Sequence, residues 1–187
     1  MAILRNSLRA LLCGVLGLMV FMRGAGGAEA PTEYQVKAVF VYNFSRFVEW
    51  PPQTFTAPDE PFVIGVLGSD PFGTRLDEAV RGEQIDQHPL VVRRFHSLGE
   101  IGNCRILYID RSESAEVQKI LAALDHHSTL TVSDLDGSSE RGVMIQFTTE
   151  NNRIRLRINV ESARAAGLTI SSKLLRSADI VGPHGGS

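Results

Sequence analysis

Six consecutive residues, Phe62-Val63-Ile64-Gly65-Val66-Leu67, carry no polar side chain. The run is too short for a helix buried on every side. A strand that is apolar on both faces must be covered on both, which is the environment of a parallel sheet between helices. Asp70-Pro71 follows as a helix cap with proline at the first helical position, predicting a short helix that ends near Gly82. The pattern then repeats. Pro89-Leu90-Val91-Val92 reads as a second strand and Arg105 to Ile109 as a third. Asp110 with Glu113 opens a helix through Leu124, and Thr129 to Val132 is a fourth strand. Alternation of this kind builds an α/β domain.

The flanking segments fit around that core. Thr32, with Gln35 three residues on, forms a capping box for a helix that carries Val36, Phe40, Phe44 and Phe47 at helical spacing. Tyr34, Ala38, Val41 and Val48 widen its apolar face, so it is covered from more than one side, and Trp50-Pro51-Pro52 ends it. A linker runs from Pro51 to Pro61. Further on, Val143 to Thr148, a turn at Glu150-Asn151-Asn152 and Arg153 to Val160 read as a β-hairpin. Its second strand places Ile154, Leu156, Ile158 and Val160 on one face and Arg153, Arg155, Arg157 and Asn159 on the other. A helical Glu161 to Ala166, a stop at Gly167 and an amphipathic Ser172 to Ile180 complete the domain. The expected fold is α/β: a three-layer αβα domain over residues 29–181, with a mixed, mostly parallel sheet and a C-terminal antiparallel hairpin. Residues 182–187 read as a disordered tail.

Residues 1–28 read as a secretory signal. Arg5 and Arg9 precede an apolar stretch from Ala10 to Phe21, and small residues end at Ala28 as a cleavage site. The apolar stretch is about a dozen residues, short of the roughly 20 that span a bilayer, so no membrane insertion is expected after cleavage. Removing Arg5, Arg9 and Arg23 leaves 16 basic against 21 acidic residues, a balance of −5 that gives no general attraction to nucleic acid or anionic lipid. Cys104 is then the one remaining cysteine. No intrachain disulfide can form, and its place at the head of an apolar run predicts a buried thiol.

The search for chemistry finds no catalytic constellation. There is no Gly-x-Ser-x-Gly elbow, and Cys104 is not at a helix N-terminus where its thiol would be activated. His126 and His127 are adjacent on a helix, point about 100° apart and cannot converge on one metal; they read as a polar helix end. Gly68 to Gly73 lacks the Lys-Ser/Thr of a P-loop. Asp70, Asp110 and Asp134 each follow a strand. They either gather at one sheet edge around a divalent cation or serve as two helix caps and, for Asp134 with Asp136-Gly137, a turn; the second reading is preferred. Ser69, Asp70 and Asp134 stay as candidates for a ligand-binding edge. Arg153, Arg155 and Arg157, roughly 6.6 Å apart along one strand face, are either a solvated row or a contact for an anionic ligand or an acidic partner. No cofactor or metal is expected.

Several segments resemble the YfiR family. They are Glu33 through Pro51 of the first helix, Asp70-Pro71-Phe72-Gly73, Cys104-Arg105-Ile106-Leu107-Tyr108-Ile109, Leu130-Thr131-Val132-Ser133-Asp134, Asn152-Arg153-Ile154-Arg155, and Leu168 through Leu175. The first helix and the closing Ile170-Ser171-Ser172-x-Leu174-Leu175 are the specific parts. The resemblance implies a non-enzymatic periplasmic regulator. Such a protein binds the periplasmic sensor region of an inner-membrane diguanylate cyclase and holds it inactive, lowering cyclic di-GMP and biofilm formation. It also implies a homodimer, and a membrane sensor kinase as the alternative partner; the edge near Ser69 and Asp134 leaves a small-ligand sensor as a further reading. Some members carry further cysteines in an intrachain disulfide, which this chain lacks.

Overall fold

The computed structural model describes residues 32–182, apart from positions 56, 58 and 126. The expected signal segment, the tail beyond Gly182 and His126 lie outside the described residues. Helix α1 (Glu33–Phe47) starts at Thr32, whose hydroxyl accepts from the Gln35 N–H at 3.4 Å. It ends before Trp50: Val48–Glu49 instead forms a short strand, β1, that pairs antiparallel with β9 (Thr169–Ile170). The chain then supplies β2 (Phe62–Leu67), α2 (Thr74–Val80), β3 (Gln84–Ile85), β4 (His88–Phe95), β5 (Ile106–Ile109), α3 (Val117–Ala123) and β6 (Leu130–Ser133). After β6 come β7 (Ile145–Glu150), β8 (Arg153–Asn159), α4 (Val160–Ala165), α5 (Ser172–Leu175) and β10 (Asp179–Val181).

The main sheet runs β10-β8-β7-β6-β5-β2-β4-β3. Its middle five strands, β4 through β7, are parallel, β8 returns antiparallel to β7, and β10 lies parallel to β8. The architecture is the expected three-layer α/β fold with a mixed, mostly parallel sheet. Helices α1, α2, α4 and α5 contribute to a core on one face, around Phe44, Phe62, Ile64, Tyr108, Val132 and Phe147. The second face is packed by α3, whose Val117 and Ile120 meet Val63, Leu67, Leu107 and Ile109. Strand β2 is buried at every position, as its all-apolar sequence requires. Gly65 stands where Phe95 crosses the second face: a Cβ there would lie 2.8 Å from the Phe95 ring and 3.0 Å from Leu107.

Four local expectations are corrected. Asp70 does not begin a helix at Pro71; its Oδ1 accepts from the N–H groups of Phe72 and Gly73, and the helix starts only at Thr74, after Gly73 at φ +56°. Asp110 caps a single 3₁₀ turn, Arg111–Glu113, through the Ser112 N–H, and α3 follows separately. The amphipathic stretch from Ser172 to Ile180 is one helical turn and then strand β10, which adds itself to the hairpin edge. The hairpin turn is the pair Asn151-Asn152, both at positive φ, so β7 continues through Glu150.

Candidate functional site

The most elaborate polar arrangement lies where the carboxyl end of β6 meets α1. Asp134 is 1% exposed, and three neighbours converge on it. Lys37 Nζ reaches its Oδ2 at 2.6 Å, the Tyr34 hydroxyl donates to the same oxygen at 2.9 Å, and Arg111 Nε donates to Oδ1 at 3.1 Å. Arg111 also donates to the Asp134 main-chain oxygen, and Glu33 binds Lys37 at 2.6 Å from the turn before it. Tyr108, buried beneath, faces this carboxylate, but its hydroxyl has no hydrogen-bond partner among the described residues. Asp134 therefore belongs to a buried ion-pair cluster, and not to the turn expected at Asp136-Gly137.

Burial alone would push the Asp134 carboxyl up. The hydrogen bond and charge of Lys37, aided by the Tyr34 hydroxyl, outweigh it and hold the group below its usual 3.8. Burial and the carboxylate it donates to push Tyr34 up to about 12. Burial works against the Arg111 cation, yet Asp134 leaves its pKa raised. Two acids and two bases cancel, so the cluster offers neither a free base nor an open metal ligand. It locks the first half of α1 onto the sheet. Neither Lys37 nor Arg111 was expected at a site from the sequence. A lysine on the stripe formed by Tyr34, Ala38, Val41 and Phe44 can be buried only with a counter-charge, and that is the signal that would have found Lys37.

Ser69 and Asp70 lie elsewhere. The strand order turns back between β2 and β5, and the crevice at such a reversal is where open α/β sheets hold ligands. Here Ser69 and Asp70 line a depression with Arg94, His96, Ser112 and Glu113, and Asp134 is not part of it. The chain fills much of this crevice itself. Ser69 N–H donates to Ser112 Oγ at 3.1 Å, and Gly68, at φ +89°, leaves no room for a Cβ beside Ser112 and Glu113. The Arg94 guanidinium is held by Asp70 at 2.9 Å, by Asp77 and by the Gly73 carbonyl. Asp77 is lowered in turn by that arginine's hydrogen bond. Asp70, Asp110 and Asp134 are each committed to different partners. Among the described residues no group of three or more His, Cys, Asp or Glu could hold a metal ion.

The arginine row divides. Arg157 binds Glu140 at 2.5 Å, and Glu140 is held below its ordinary pKa; burial opposes this, while a backbone N–H, the Ser139 hydroxyl and Arg157 prevail. Arg153 and Arg155 are exposed and form no ion pair among the described residues. They share a face of the hairpin with their cross-strand neighbours Glu150 and Thr148, and with Gln146, which lies opposite Arg157. That is the face packed by α3, and the core α3 organises there includes no residue of β7 or β8. Cys104 is buried as expected, just ahead of β5, and burial pushes its thiol up to about 12. The His127 N–H closes a turn on the Leu124 carbonyl beyond α3.

The model of the family described as YfiR/HmsC-like matches residues 34–179, which includes α1, the Asp134 cluster and the arginine hairpin. No curated protein matches the chain.

Proposed function

Since the chain belongs to the YfiR/HmsC-like family, we propose that it is a non-enzymatic periplasmic regulator of cyclic di-GMP signalling. In this reading it is exported by residues 1–28 and binds the periplasmic sensor region of an inner-membrane diguanylate cyclase. Repression requires that it bind the inactive state of the cyclase better than the active one. The observation that carries the reading is family membership, joined by the finding that the most deeply buried acid among the described residues is already committed to partners. The most reactive-looking carboxylate, Asp134, is saturated by Lys37, Tyr34 and Arg111. The free polar chemistry sits instead on a surface, at Arg153 and Arg155, and suits contact with an acidic partner.

The test is complementation of a deletion strain with Arg153→Glu/Arg155→Glu. Both side chains are exposed and unpaired, so the fold is unaffected and exported protein accumulates at the parental level. Intracellular cyclic di-GMP is expected to stay at the deletion level. Full repression by this variant would remove the arginine face from the account.

A further inference from the structure

We propose that the outer edge of β8 beside the arginines is a strand-addition site. It takes an extended partner segment in which acidic and apolar side chains alternate. This rests on the regulatory reading only for the identity of the partner; the binding site itself follows from the sheet.

Hydrogen-bond parity distinguishes the two edges of β8. The Asn159 N–H donates to the Met144 carbonyl at 2.9 Å, which continues the β7–β8 ladder and turns the odd-numbered residues of β8 toward β7. The even-numbered residues therefore aim their backbone N–H and C=O groups at the opposite edge. Strand β10 covers that edge only at Arg157, Ile158 and Asn159. At Ile154 no strand pairs with β8 on this side, and an unpaired donor and acceptor face outward. Residues 153 and 155 are exposed and Ile154 is half-buried, as an uncovered edge requires.

The two faces of this edge read different chemistry. On one, Arg153 and Arg155 present unpaired cations roughly 6.6 Å apart, the spacing of alternate residues on an added strand. On the other, Ile154 joins Val36, Phe40 and Thr149 in a groove between α1 and the hairpin. An incoming strand therefore places carboxylates over the arginines and an apolar side chain in the groove. Main-chain bonds supply affinity and the alternating side chains supply specificity, which is the logic of strand addition. The β10 strand already adds itself to the same edge one step further along, so the occupant continues the sheet along β8.

The experiment uses ¹⁵N-labelled exported protein and two synthetic peptides, acetyl-Val-Asp-Val-Glu-Val-Asp-amide and its counterpart with lysine at each acidic position. The acidic peptide is expected to bind saturably and to slow exchange of the Ile154 amide proton at least tenfold, and the lysine peptide not to bind. Ile154→Pro removes the outward N–H, which the β7 ladder does not use, together with the isoleucine side chain that lines the groove, and a proline is tolerated at such an edge. Both it and Arg155→Glu are expected to weaken binding at least tenfold. Absence of saturable binding, equal binding of both peptides, or unchanged binding by both variants overturns the proposal. If the acidic peptide binds as described while deletion of the gene leaves cyclic di-GMP unchanged, the docking edge stands and the cyclase reading fails.

Discussion

Replacing Lys37 by methionine keeps an unbranched apolar side chain in the buried position and removes the ammonium, which lies 4.6 and 5.8 Å from the centroids of the Tyr34 and Phe147 rings. Asp134 stays buried with Arg111 and Tyr34 still bonded to it, so part of its compensation survives. Removing one partner of a buried pair costs about 3–5 kcal/mol, and the surviving partners place this case near the lower end. For a domain of this size, about 3 kcal/mol lowers Tm by roughly 6–12 °C. Urea denaturation at pH 7 measures the loss directly. The pH dependence follows from the direction of the Asp134 shift. Its carboxyl is held below 3.8 in the folded chain, so the unfolded chain takes up the proton first as pH falls. The stability from the pair is complete above the unfolded value and is lost as pH falls through the folded one. In Lys37→Met the carboxylate is poorly compensated, and the deficit relative to the parent shrinks as pH drops below about 4. The double variant Lys37→Met/Asp134→Leu is expected to be no less stable than the single one. A single-variant loss under about 1 kcal/mol, or strictly additive losses in the double variant, would refute the lock.

Two further outcomes follow from packing. Gly65→Ala forces its Cβ against the Phe95 ring and Leu107, and is expected to cost about 1–3 kcal/mol in urea denaturation. With its thiol pushed up to about 12 and its side chain buried, Cys104 is expected to be silent to a thiol reagent at pH 8 in the native protein and to react fully once unfolded.

The layers of this fold were legible because they rest on periodicity. The all-apolar β2 demanded cover on both faces, and the alternation in β8 fixed one buried and one wet face before any contact was known. Strand β10 was not legible, since Asp179-Ile180-Val181 is three residues long and becomes a strand only because the edge of β8 is there to receive it. The reading of Asp134 as a turn failed for a related reason. Its partners Tyr34 and Lys37, about 100 and 97 positions away in the chain, meet it only after α1 docks, and Arg111, about 23 away, only after β5 pairs with β6. The equal spacing of the three arginines was visible in sequence, but not the return of the loop carrying Glu140, which takes Arg157 out of the exposed set. The strand-addition edge likewise depends on where β10 stops pairing, and no local pattern encodes that.

The proposed role is regulation of a cyclase from outside the cytoplasm. Its most direct test is intracellular cyclic di-GMP in a strain lacking the gene, compared with the same strain supplied with the full chain or with a form lacking residues 1–28. The account predicts a rise on deletion, reversed by the full chain and left unreversed by the shortened one. An unchanged level on deletion, or equal reversal by both forms, would contradict it.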